Sequence, residues 1–289
     1  MSVLQPFSGS FNEVHARHLL KRTTFGVTQT MVIEAVNLGL QATIDKLFDD
    51  KPLTSFPLKY QFDGQGSGRI NDPDANYGET WVNGNVLPQV TDLQERNRII
   101  NSRKRSLYAW FFLEMQNSNI SIHEKMTLFW HNHFVAVNQN PHREFYYFDI
   151  LRKNALGNFI ELTKKITVDA NMLEYLSGAE NTNTAPNENY ARELLELFTI
   201  GKGIAVGNGD YTNYTETDVV EIAKILTGWR VKGLAHPDAL IPFFSNFFIQ
   251  KALKLYLTDL MMQPSMKMVK MSIKILLIKF LNKKNVQDS

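Results

Sequence analysis

Cysteine is absent from all 289 residues, so the chain has no disulfide, no thiolate site for a metal and no cysteine nucleophile. Imidazole and carboxylate remain as its strong metal ligands, and there are seven histidines. No uncharged apolar stretch reaches the ~18 residues needed to cross a bilayer. Between Met1 and Phe11 no positive region is followed by an apolar run, so no secretory signal is expected, and compartment stays unassigned. Charge of one sign is lacking too. The formal net charge of +2 makes no demand for nucleic acid or an anionic membrane as partner. No Gly-x-Ser-x-Gly nucleophile elbow occurs.

What is present supports a sizeable core, since 44% of residues are hydrophobic. Residues 13 to 50 read as two or three short helices, with Val14, His18 and Leu19 on one face, then Met31 to Leu38 and Leu40 to Phe48. Residues 51 to 90 lose that periodicity under Pro52, Pro57, Gly64, Gly66, Gly68, Pro73, Gly78, Gly84 and Pro88, which predicts a long irregular loop. Helical spacing returns near Asp92 and continues with short breaks to Trp229. The fold class expected is all-α, with about eight to ten helices around a single core.

A compositional boundary follows. Residues 236–289 contain no glycine, glutamate or arginine but eight lysines and five of the ten methionines. Their net charge is +5, against −3 for residues 1–235. One reading is an aberrant tail from a reading frame lost near Leu234 to Pro242, since an AT-rich gene read out of frame yields Lys, Ile, Leu, Phe and Met. The other is a basic amphipathic helix with Met266, Val269, Ile273, Leu276, Leu277 and Phe280 near one face.

The run Pro186 to Gly201 opens and closes as a helix should, with proline in its first turn and a glycine suited to a left-handed stop. Tyr190, Leu194, Leu197 and Phe198 form an apolar stripe. Glu188, Arg192 and Glu196 are expected to form successive i,i+4 ion pairs, with Asn187, Asn189 and Glu193 beside them. This block resembles the signature of a bacterial family, the domain of unknown function 1800. His18 to Gly26, Phe129 to Phe134, Arg152 to Phe159, Asp169 to Leu173, and Tyr214 to Val219 through Leu226 to Trp229 match its other blocks in order. The resemblance implies a mostly helical fold and, by gene neighbourhood, a sulfatase-like partner. It implies no established activity. Relatives often look exported and continue well past the Thr227-Gly228-Trp229 block, so this chain reads as a truncated member.

Four constellations invite chemistry. His131 and His133 are two apart, so they reach one divalent metal only at a helix end, with His18, Glu193 or Glu196 supplying a third ligand. Otherwise one imidazole caps a helix and the other packs in a polar core. Asn187, Glu188, Asn189, Arg192, Glu193 and Glu196 form either a solvated lattice, an acid–base or cation site, or a buried network that fixes how helices meet. Asp72-x-Asp74-x-Asn76 starts like a calcium loop, but Tyr77 and Asn83 occupy the positions where glycine and glutamate belong, which favours turn chemistry. Arg96, Arg98, Arg103, Lys104 and Arg105 read as a solvated basic face ahead of Tyr108, Trp110 and Phe111, with a single-stranded nucleic-acid face the alternative. The function expected is therefore a helical scaffold or interaction module, or else a metal-assisted hydrolase or oxidoreductase on His131 and His133 with a carboxylate.

Overall fold

The computed structural model describes residues 7–49, 51–53, 55–207, 209–245 and 247. Among these the chain forms ten α-helices and one pair of two-residue strands. The all-α expectation holds. The amphipathic alternative for Met266 to Phe280 lies outside the described residues.

Short polar side chains start most of the helices, because the first N–H groups of a helix have no partner inside it. Helix α1 (Glu13–Thr23) is capped by Asn12, α2 (Gln29–Leu38) by Thr28, and α4 (Leu93–Gln116) by Asp92. Helix α3 (Leu40–Leu47) follows α2 through Gly39. Next come α5 (His123–His133), α6 (Pro141–Lys153) capped by Asn140, α7 (Phe159–Thr167) capped by Asn158, and α8 (Ala170–Tyr175) capped by Asp169. Helix α9 (Glu188–Glu193) runs straight into a π-helical turn, Leu194–Thr199. Helix α10 (Glu216–Leu226) opens with a capping box between Thr215 and Asp218. Strand β1 (Trp229–Arg230) then pairs antiparallel with β2 (Phe243–Phe244), Trp229 opposite Phe244.

Buried apolar residues fall into three clusters. The largest gathers Phe134 with side chains of α6 to α10 and Trp229. A second joins α4 and α6 to Trp81 and Val82 of the loop, and a third joins α1, α2 and α3 to Ile120. On α1 the buried face is Ala16 and Leu20, whereas Val14 is 73% exposed and His18 also faces outward. That differs from the expected face of Val14, His18 and Leu19. A small alanine admits close approach where α1 packs on α2.

The loop at 51–90 is irregular, as expected, but it is anchored deeply. Arg103 of α4 is almost wholly buried and donates to both oxygens of Asp72 at 2.7 and 2.5 Å, to Asp74 at 2.6 Å and to the Asn85 carbonyl at 2.9 Å. Trp81, fully buried, donates from its indole N–H to Ser106 at 2.7 Å. Asn76 bonds Glu79 instead of joining the two aspartates. Asp72 and Asp74 are thus the counter-charges of an arginine. The basic run of α4 divides likewise: Arg103 points inward, Arg96 bonds the Val90 carbonyl, Arg98 pairs with Glu95, and Arg105 is exposed.

Removing one partner of a buried ion group leaves its charges uncompensated in a poor solvent. Arg103→Met is expected to destabilise the fold by about 3–5 kcal/mol in urea titrations. Adding Asp72→Asn and Asp74→Asn to it should restore more than half. A loss below about 1 kcal/mol for the single variant would show that the clamp does not hold the loop.

Candidate functional site

The signature helix departs from simple α geometry, and its polar residues act between elements. Asn187 is the N-cap of α9: its Oδ1 accepts from Tyr190 N at 3.0 Å, and its Nδ2 donates to the carbonyls of Leu176 and Ser177. Pro186 therefore lies one residue outside the helix, because the asparagine takes the cap. The backbone N–H of Asn187 donates to Asn181, whose side chain also accepts from Thr227 and donates to the Ala223 carbonyl of α10. This amide relay stitches α8, α9 and α10 together.

The expected ladder of Glu188, Arg192 and Glu196 does not form. Arg192 makes a bidentate pair with Glu216 of α10 at 2.7 Å, which holds its guanidinium charged. Glu196 pairs with Lys202 at 2.6 Å and accepts from the Tyr214 hydroxyl at 3.1 Å. Glu188 and Asn189 face solvent and Glu193 is half-buried. Phase explains part of this. From Leu194 on, the turn widens to i→i+5 spacing, seen in Ile200 N bonding Leu195 O and the Thr199 hydroxyl bonding Leu194 O. The widening rotates Leu197 off the apolar stripe, leaving it 57% exposed, while Ala191 and Leu195 are buried beside Tyr190, Leu194 and Phe198. Gly201 stops the helix at φ +70°, as its position predicts.

His18, His131, His133 and Glu193 are not brought together. No group of three or more His, Asp or Glu residues among the described residues has an arrangement that could hold a metal ion. His133 donates from Nε2 to the Phe198 carbonyl at 2.9 Å, tying the end of α5 to the π turn. His131 packs its ring 4.9 Å from that of Phe148, and burial lowers its pKa, which leaves the imidazole neutral. His123 lies beside Glu124, which receives Arg152 of α6 at 2.6 and 2.8 Å. Each imidazole of the expected metal set thus has either a structural task or an exposed position.

Sequence reasoning missed a buried polar centre around α6. His142, Arg143 and Glu144 are all at most 2% exposed. Arg143 donates to the carbonyls of Lys232 and Ala239 and pairs with Glu174. Asp169, the cap of α8, is pushed up to about 6 by burial, against the pull of the backbone N–H groups of Asn171, Met172 and Ala170 and the charge of Arg143. Tyr147 and Tyr190 lie near enough to feel that charge, and their hydroxyls go to the carbonyls of Phe134 and Thr167. His142 donates from Nε2 to the Trp81 carbonyl at 3.1 Å. Burial and the neighbouring Arg103 lower its pKa to about 4. The Thr215-x-x-Asp218 spacing is the one legible hint of the Glu216 neighbourhood. For the centre around α6, only unusually polar helix text was visible.

The folded state keeps His142 neutral down to about pH 4, whereas the ordinary value is 6.5. Between these values the unfolded chain binds the extra proton, so stability falls as pH drops through that window. The loss from this group is expected to be at most about 3 kcal/mol in urea titrations at pH 7 and pH 4. His142→Gln, which keeps a donor for Trp81, should lose less over the same interval. An equal loss in both proteins would remove His142 as the cause.

The family model described as "Protein of unknown function (DUF1800)" matches residues 18–262. No curated protein and no solved structure matches the chain. The match spans the signature helix, the amide relay and the polar centre, and the chain belongs to the DUF1800 family of proteins of unknown function.

Proposed function

We propose that this chain is a helical interaction module. Its signature residues Asn187, Arg192 and Glu196 serve to set how α9 meets α8 and α10. The supporting observation is where the two kinds of side chain go. Asn187, Arg192 and Glu196 are spent on contacts within the fold, whereas apolar groups at the exit of the signature face outward. Leu197, Ile200, Ile204 and Val206 lie within ten positions of one another and are 57, 38, 75 and 65% exposed. Clustered exposed aliphatics of this kind mark a surface that another protein covers.

The partner proposed is the sulfatase-like protein that gene neighbourhood associates with the family. Among the described residues no helix is long and apolar enough to cross a membrane, and this partner requires none. Co-expression of the two proteins should give a complex that Leu197→Asp and Ile204→Asp each weaken by about tenfold or more. Because both side chains are exposed, the variants should melt as the parent does. Unchanged affinity in both variants would refute the surface.

The family match continues to residue 262, and Ala239 is fully buried with its carbonyl on Arg143. We place the loss of reading frame in the gene region that encodes the lysine- and methionine-rich stretch. Resequencing is expected to show a frame change there, and an uninterrupted family frame would overturn it.

A further inference from the structure

A second apolar feature involves α4 and α5. A cavity of about 680 Å³ opens between α4, α5 and the turn after α1, lined by Phe25, Tyr108, Phe112, Met115, Leu128 and His131 among others. Its size falls within the range of roughly 300–1,000 Å³ typical of sites for small ligands. The mouth is apolar: Phe25, Tyr108 and Phe112 are 38, 36 and 70% exposed. Such surface on a soluble face is costly unless something covers it.

Charge at the rim narrows the occupant. Lys125 lies with its ammonium 5.9 Å from the Phe25 ring centre and donates to the Thr24 carbonyl at 3.2 Å. Lys125 pairs with no carboxylate among the described residues. Lys104 does have a negative neighbour, Glu144 at 3.9 Å, which also accepts the Tyr108 hydroxyl. Net positive charge is therefore left beside an apolar slot. Inside it His131 is neutral and Gln116 is the other polar lining residue apart from Tyr108, so charge recognition is confined to the mouth.

We propose that this pocket binds a single-chain amphiphile with an anionic head, a free long-chain carboxylate, its tail among Phe25, Phe112 and Leu128 and its head at Lys125. The tail contributes by leaving water, and the head adds selectivity by reaching a cation at the solvent edge.

Displacement of a fluorescent apolar dye from the purified full chain tests this, with hexadecanoate as ligand and hexadecanol and hexadecylammonium as controls. Hexadecanoate should compete about tenfold better than the alcohol, a ~1.4 kcal/mol preference, and better still than the ammonium. In Lys125→Gln that preference should vanish while the alcohol binds as before. Phe112→Asp, at an exposed position that should not alter the melt, should weaken all three. Equal competition by carboxylate and alcohol would overturn the anionic head. No displacement by either, or full binding by Phe112→Asp, would overturn the pocket itself. Uptake of the carboxylate only as part of a phospholipid vesicle would overturn the free ligand. Each result is independent of the signature surface, whose variants Leu197→Asp and Ile204→Asp should bind the ligand normally.

Discussion

The burial of charge along α6 is the constraint on which the arrangement of the other helices depends. A guanidinium inside a protein is tolerable only when nearly every N–H finds an acceptor, so each arginine of α6 dictates what must surround it. Arg152 requires Glu124 of α5 and the Lys51 carbonyl at the start of the long loop. Arg143 requires carbonyls from residues 232 and 239 and a carboxylate from α8. His142, one position earlier, fixes Trp81. Apolar packing supplies the driving force for collapse, and these groups select which collapsed arrangement satisfies them.

The same division of labour runs through the signature helix. An isolated surface pair such as Glu188 with Arg192 contributes a few tenths of a kcal/mol on a helix. A bidentate pair to another helix, as between Arg192 and Glu216, adds geometry as well as energy, because the planar guanidinium meets the carboxylate in one orientation. Asn187 is both a cap and a donor to α8, which makes the start of α9 and the end of α8 a single joint. Polarity in this block is thus an instruction for assembly.

Local features were legible in the sequence. Helical spacing returns near Asp92, which caps α4, and Gly201 ends the signature helix as its position predicts. The Pro- and Gly-rich stretch from 51 to 90 correctly marked irregular backbone. Partners chosen across the fold were not legible. Nothing near Arg103 in the chain announces Asp72 and Asp74, since the pairing is made by how the loop returns over α4. The π turn at Leu194 escaped for a related reason: periodicity assumes constant rise, and one widened turn moves Leu197 out and Leu195 in. His131 and His133 stood out as rare chemistry, yet the surrounding elements use one as a backbone donor and the other as packing.

The acceptors of Arg143 carry a consequence for biosynthesis. Two of its three partners, the carbonyls of Lys232 and Ala239, are synthesised 89 and 96 residues after it. During translation the guanidinium must stay hydrated until that later stretch leaves the ribosome, so α6 cannot settle into the interior beforehand. Helix α6 is obliged to wait, and the emerging polypeptide has a built-in timer: its centre closes only when residue 239 has left the ribosome.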